Sequence, residues 1–80
     1  MKAILTTTHP DEVSGTTIMD DGTKAYWTEG RSSYVAIVYA DGRTEEVPVW
    51  EEHPVNVALE ELGPMRPMTP AEVAEYAAAR

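Results

Sequence analysis

Up to Trp50 the apolar and β-branched residues come in short runs, and only after it does a helical spacing set in. The first run, residues 3 to 7, reads as a strand that stops at His9-Pro10, because proline cannot donate to a β-ladder. Asp11-Glu12 and Ser14-Gly15 supply loop chemistry, so residues 9 to 15 are predicted to form a surface connection. Further strands are predicted over 16–19, 23–28, 33–39 and 43–50, joined as a meander with Glu29-Gly30 turning the middle. Residues 34 to 39 are apolar on both faces, which predicts a central strand covered on both sides. Pro48 puts the next strand at an edge or at its own end.

Asp20-Asp21-Gly22 and Ala40-Asp41-Gly42 carry the same punctuation between β-type residues, and both are predicted hairpin turns. Loop length fixes register, and a slip of one residue exchanges the two faces of a strand. At the second turn a two-residue loop would set Val47 and Val49 beside Tyr34, Ala36 and Val38. A three-residue loop with Gly42 left-handed sets them beside Val35, Ile37 and Tyr39, the more uniformly apolar face, and is the predicted geometry.

Val55, Ala58, Leu59 and Leu62 then fall at helical spacing, with Pro54 suited to a first turn and Gly63-Pro64 to a stop. A second helix is predicted from Thr69, whose hydroxyl can cap while Pro70 takes the first helical position and Glu72 completes a capping box. Its apolar stripe would be Val73, Tyr76 and Ala77, and residues 63 to 68 read as a stiff connector. The predicted fold class is α+β: an antiparallel β-meander of four to five strands with two short C-terminal helices, forming a single domain over residues 1–80.

Composition narrows what such a domain can do. The chain has no cysteine, which removes disulfides, thiolate catalysis and cysteine zinc sites together and fits a reducing cytosol. Polarity begins at Thr6, too early for a secretory signal, and no run of about 18 apolar residues occurs, so a cytoplasmic protein is expected. Fourteen acids against six bases give a net charge of −8. Such a field repels phosphate and anionic membranes, so neither direct nucleic-acid binding nor membrane binding is expected.

Catalysis lacks its constellations. Ser14, Ser32 and Ser33 and the histidines His9 and His53 sit in no nucleophile motif, and no Gly-rich phosphate loop is present. No enzyme activity, catalytic residue or cofactor is expected. His9-Pro10-Asp11-Glu12 and Glu51-Glu52-His53-Pro54 could supply four metal ligands if their loops met. Their spacing matches no metal template, and the favoured reading is two loop histidines in X-Pro turns.

Acid placement stands out instead. Ten of the fourteen acids are neighbours: Asp11-Glu12, Asp20-Asp21, Glu45-Glu46, Glu51-Glu52 and Glu60-Glu61. Most fall at turns or element ends, where paired carboxylates decorate a surface, although acidity also serves solubility alone. DNA carries one negative charge per ~1.7 Å of axis, and closely spaced carboxylates can occupy a groove built for it. Trp50, beside Glu51-Glu52, is expected at an interface, whereas Trp27 suits core and interface equally.

In size, charge, absence of cysteine and sheet-plus-helix plan, the whole chain resembles the small phage- and prophage-encoded anti-CRISPR proteins, in particular inhibitors of type I (Cascade) systems. That family shares no motif, so no residue role carries over by position. The resemblance implies a stoichiometric, non-enzymatic inhibitor in the bacterial cytoplasm that binds a Cas subunit of Cascade and blocks target-DNA or PAM recognition. The residues expected to engage such a basic partner are Asp20, Asp21, Glu45, Glu46, Glu51 and Glu52, with Trp50 as anchor, the protein itself being a monomer. The alternative is a phage or bacterial accessory module, antitoxin-like or an assembly factor, docking through Val73, Tyr76 and their neighbours.

Overall fold

The two Asp-Gly turns set the register of the sheet. In the computed structural model, which describes residues 1–28 and 34–79, the Tyr39 carbonyl accepts from Gly42 N–H at 2.9 Å and the Tyr39 N–H donates to the Arg43 carbonyl at 2.8 Å. Gly42 has φ +91°. Met19, Gly22 and Thr23 repeat this arrangement, with Gly22 at φ +89°. Each turn is locked by its aspartate: Asp21 Oδ1 accepts from Thr23 N–H and Asp41 Oδ1 from Arg43 N–H, both at 3.0 Å. Those backbone donors hold both carboxyls below the ordinary aspartate range.

The loop is thus the predicted three-residue form, and Val47 stands opposite Val35. A Cβ at position 42 would meet nothing within 4 Å, so the cost of Gly42→Val is chiefly backbone strain. About 1–2 kcal/mol is expected by urea denaturation, with Gly42→Asn losing less because asparagine tolerates positive φ.

Among the described residues the strands are β1 (Ala3–Thr8), β2 (Ser14–Met19), β3 (Lys24–Thr28), β4 (Tyr34–Val38), β5 (Thr44–Pro48) and β6 (Met65–Pro67). Helix α1 (Pro54–Glu60) lies between β5 and β6, and α2 (Pro70–Ala79) comes last. The sheet order is β5-β4-β3-β2-β1-β6. Strands β1 to β5 form the expected antiparallel meander, and the chain is α+β. The expected turn at Glu29-Gly30 and the expected strand start at Ser33 lie outside the described residues.

Ser14 and Gly15, read as part of a surface connection, are buried in β2, and Ala77, read as part of the apolar stripe of α2, is exposed. Three further features of the sheet depart from the sequence reading. Residues 65–67, read as part of a connector, pair parallel with β1 as a sixth strand. Pro64 carbonyl accepts from Thr6 N–H at 2.7 Å and Met68 N–H donates to the Thr8 carbonyl at 2.9 Å. Prolines bias their neighbours toward extended backbone, and an edge tolerates their missing donors. Second, β5 ends at Pro48 opposite Tyr34, so Val49 and Trp50 leave the sheet instead of extending it. Third, β4 is one strand in from the edge rather than central.

Strand alternation distributes the core over both faces of the sheet. On one face Ala25, Val35, Ile37 and Val47 pack against Val55 and Ala58 of α1. On the other, Tyr26, Ala36 and Val38 meet Met68, Val73 and Tyr76, placing α2 there. The helices therefore sandwich the sheet. Between them β1 and β2 bury hydroxyls: Thr6 and Thr17 bond each other at 3.2 Å, and Thr7 donates to the Thr16 carbonyl at 3.3 Å. These bonds satisfy the side chains that β-branching favours in a strand.

Helix α2 starts with the predicted capping box. Glu72 N–H donates to Thr69 Oγ1 at 3.3 Å and Thr69 N–H donates to Glu72 Oε1 at 3.0 Å. Arg66 of β6 adds a two-pronged pair at 2.6 and 2.9 Å. Chiefly through Arg66, Glu72 is drawn down from 4.5 to about 2. A carboxyl depressed on folding contributes stability above its unfolded value and loses it as pH falls through the folded value. Between pH 4.5 and 2, wild type is therefore expected to lose more stability than Glu72→Gln, measured by urea titrations at stepped pH.

Candidate binding site

Pro48 ends β5, and the chain then makes a tight turn fastened at several points. Glu51 N–H donates to the Pro48 carbonyl at 3.1 Å and His53 N–H to the Glu51 carbonyl at 2.9 Å. Asn56 of α1 reaches back, its Nδ2 donating to the carbonyls of Pro48 at 2.9 Å and Glu51 at 2.8 Å. His53 caps α1 by accepting Val55 N–H at Nδ1, 3.1 Å, with Pro54 in the first turn. The turn is thus held in shape while Trp50 stands 70 % exposed, its ring tilted against Tyr34 at 6.1 Å. An exposed aromatic on a fixed turn loses little freedom on binding.

Beside this turn, between α1 and the β3–β4 end of the sheet, lies a groove of about 770 Å³. Trp27, Val35, Val49 and Leu59 give it apolar walls. Val57 and Leu62, both exposed, continue them outward. Its polar lining includes Glu51, Glu52, Glu60 and Asn56, and among the described residues no lysine or arginine. Trp27 is fixed from behind: its Nε1–H donates to Thr17 Oγ1 at 3.1 Å. Across the strand pair Gly15 faces it, and a Cβ there would come within 2.7 Å of the indole. Asn56 Oδ1 is the one buried side-chain polar atom without a hydrogen-bond partner among the described residues.

The seven residues expected to bind a partner do not form one patch. Asp20 and Asp21 lie at the first Asp-Gly turn, against the second: a Cβ on Gly22 would sit 3.4 Å from Ala40 Cβ. Trp50, Glu51 and Glu52 lie past the opposite end of β5, a strand of about 13 Å at ~3.3 Å per residue. Glu45 and Glu46 are successive strand residues and point to opposite faces.

Their partners differ as well. Asp20 Oδ1 accepts from Lys2 N–H at 3.1 Å, and Asp21 locks its own turn. Glu45 accepts the Tyr39 hydroxyl, which pushes that phenol up from its ordinary value. Glu46, Glu51 and Glu52 are exposed, and their side chains make no hydrogen bond or ion pair among the described residues. Conversely, Lys24, Arg43 and Arg66 are taken by Glu75, Asp41 and Glu72. Of the seven, the fold brings Trp50, Glu51 and Glu52 together at one turn beside the groove. It adds Glu60 and Trp27, which spacing along the chain could not bring to them.

The histidine loops do not converge. His9 lies against the Tyr76 ring at 6.0 Å, on the α2 face, and its Nδ1 accepts from Asp11 N–H at 3.1 Å. His53 sits on the α1 face, with Nε2 3.5 Å from Tyr39 Oη and 3.6 Å from Glu45 Oε2. In each His-Pro turn the imidazole Nδ1 accepts a backbone N–H from two residues on. Among the described residues no group of three or more histidines and carboxylates could hold a metal ion. On the α2 face Tyr26 donates to Glu75, and burial first, then that bond, pushes its phenol up to about 12.

Among the described residues no helix is long and apolar enough to cross a membrane. Comparison of the chain with family models, with curated proteins and with solved structures gives no match.

Proposed function

We propose that this protein is a non-enzymatic binding protein whose Trp50–Glu51–Glu52 turn docks on a basic, nucleic-acid-binding surface of another protein and blocks it. The observation that carries this reading is that Glu51 and Glu52, beside an exposed tryptophan, have no partner among the described residues, in a chain whose described cations are mostly committed to internal pairs. Carboxylates free of internal partners lose nothing internally when they meet Lys or Arg, and they steer encounter at long range. The resemblance to Cascade inhibitors makes a Cas subunit of a type I complex the specific partner of this reading, with target-DNA or PAM binding as the step blocked.

The accessory-module alternative draws no support from the fold, because Tyr76, the anchor it would offer, is packed inside against the sheet. The test is a gel shift of target DNA on purified Cascade. Wild-type protein is expected to lower DNA binding in a stoichiometric, salt-sensitive way, and the double variant Glu51→Lys/Glu52→Lys to fail. Unchanged DNA binding at saturating protein removes Cascade as the partner, and equal potency of the two proteins removes the turn as the docking element.

A further inference from the structure

The same turn forms one lip of the groove, which makes a statement about the partner's local chemistry possible. We infer that the groove receives a short peptide segment in which an apolar side chain is flanked by arginine or lysine. This rests on the proposed binding role, but not on Cascade or on inhibition.

Three observations argue for it. The groove of about 770 Å³ falls in the range of ligand sites, too large for a lone ion. Its Trp27, Val49 and Leu59 walls offer apolar surface that an aliphatic or aromatic side chain would remove from water. Its described carboxylates come from two elements, Glu51 and Glu52 from the turn and Glu60 from the end of α1, with no cation among the described lining residues. An apolar anchor in this groove therefore places its neighbours beside negative charge, and Trp50 offers an aromatic face to a guanidinium. An acidic or phosphorylated segment would meet repulsion instead. The Asp20-Asp21 end has acids too, but they are engaged by backbone donors.

The experiment is selection from a randomised peptide library displayed on phage against the intact chain. The enriched peptides are then made synthetically and mapped by chemical shift on the isotope-labelled chain. Enriched sequences are expected to carry Arg or Lys within two positions of an apolar residue and to perturb Trp27, Trp50 and Leu59. Affinity should fall at least tenfold with Val57→Glu and with Trp50→Ala, both at exposed positions that leave the core intact. It should fall several-fold with Glu51→Gln/Glu52→Gln, and more steeply in low salt than in high.

Enriched peptides without a cation, or shifts confined to the Asp20-Asp21 end, overturn the inference. So does affinity indifferent to Val57→Glu and Trp50→Ala. Those outcomes leave the reading of a basic partner standing if the Glu51→Lys/Glu52→Lys pair still abolishes inhibition, whereas loss of that effect alone leaves the groove assignment intact.

Discussion

Replacing Tyr76 by alanine is expected to lower the unfolding free energy by about 3–5 kcal/mol, the range for emptying an aromatic site in a core. Tyr76 is 1 % exposed and the largest fully buried side chain among the described residues. Its ring meets those of Tyr26 and His9, each at 6.0 Å. Its hydroxyl donates to the Trp27 carbonyl at 2.8 Å, so the 2.7 Å contact with Thr28 must be donated by the threonine. Tyr76→Phe keeps the ring and removes both bonds, and about 1–3 kcal/mol is expected from the groups left behind. A helix as short as α2 has no stability of its own, so in Tyr76→Ala its amides should exchange hydrogen far faster than those of β3. Urea denaturation and amide exchange measure the two effects separately.

The second large effect is expected at Gly15. A Cβ built there lies 2.5 Å from the Thr7 carbonyl oxygen and 2.7 Å from the Trp27 ring. The ring can swing aside, but the carbonyl belongs to the neighbouring strand and cannot. Gly15→Ala is expected to cost about 1–3 kcal/mol, the range for overpacking, and to lie toward its upper end. Moving the indole also breaks its bond to Thr17 and reshapes the groove wall, so near-ultraviolet circular dichroism and peptide affinity should change together. Gly15→Ala/Trp27→Leu should recover only part of the loss, because the clash with Thr7 persists. Full recovery would show that the ring alone demands the glycine.

Much of the fold is legible in the chain because its signals are local. Gly22 and Gly42 mark turns through backbone conformation, Thr69 and Glu72 mark a helix start through reciprocal bonds, and the place of Val47 comes from loop length. Where the reading stops short, the cause is contact between distant segments. Alternation in β4 shows that two faces are apolar but not that α1 takes one and α2 the other. The prolines around Met65–Pro67 look like punctuation until β1 offers an edge. Of the acids, sequence gives adjacency and the fold gives commitment. Asp21 closes a turn and Glu45 holds a phenol, while Glu51 and Glu52 stay unengaged among the described residues.

The parallel seam between β1 and β6 joins segments almost sixty positions apart. Hairpins β2–β5 can zip in sequence order, whereas this seam must wait for the whole intervening chain. Until it closes, the outer row of β1 amides is an open template for strands of other molecules. Three residues with prolines at Pro64 and Pro67 close that row and present a poor template in turn. The C-terminal quarter thus acts as a built-in guard against self-association. Truncations ending before Met65, which also strip α2 from the sheet, should show concentration-dependent aggregation.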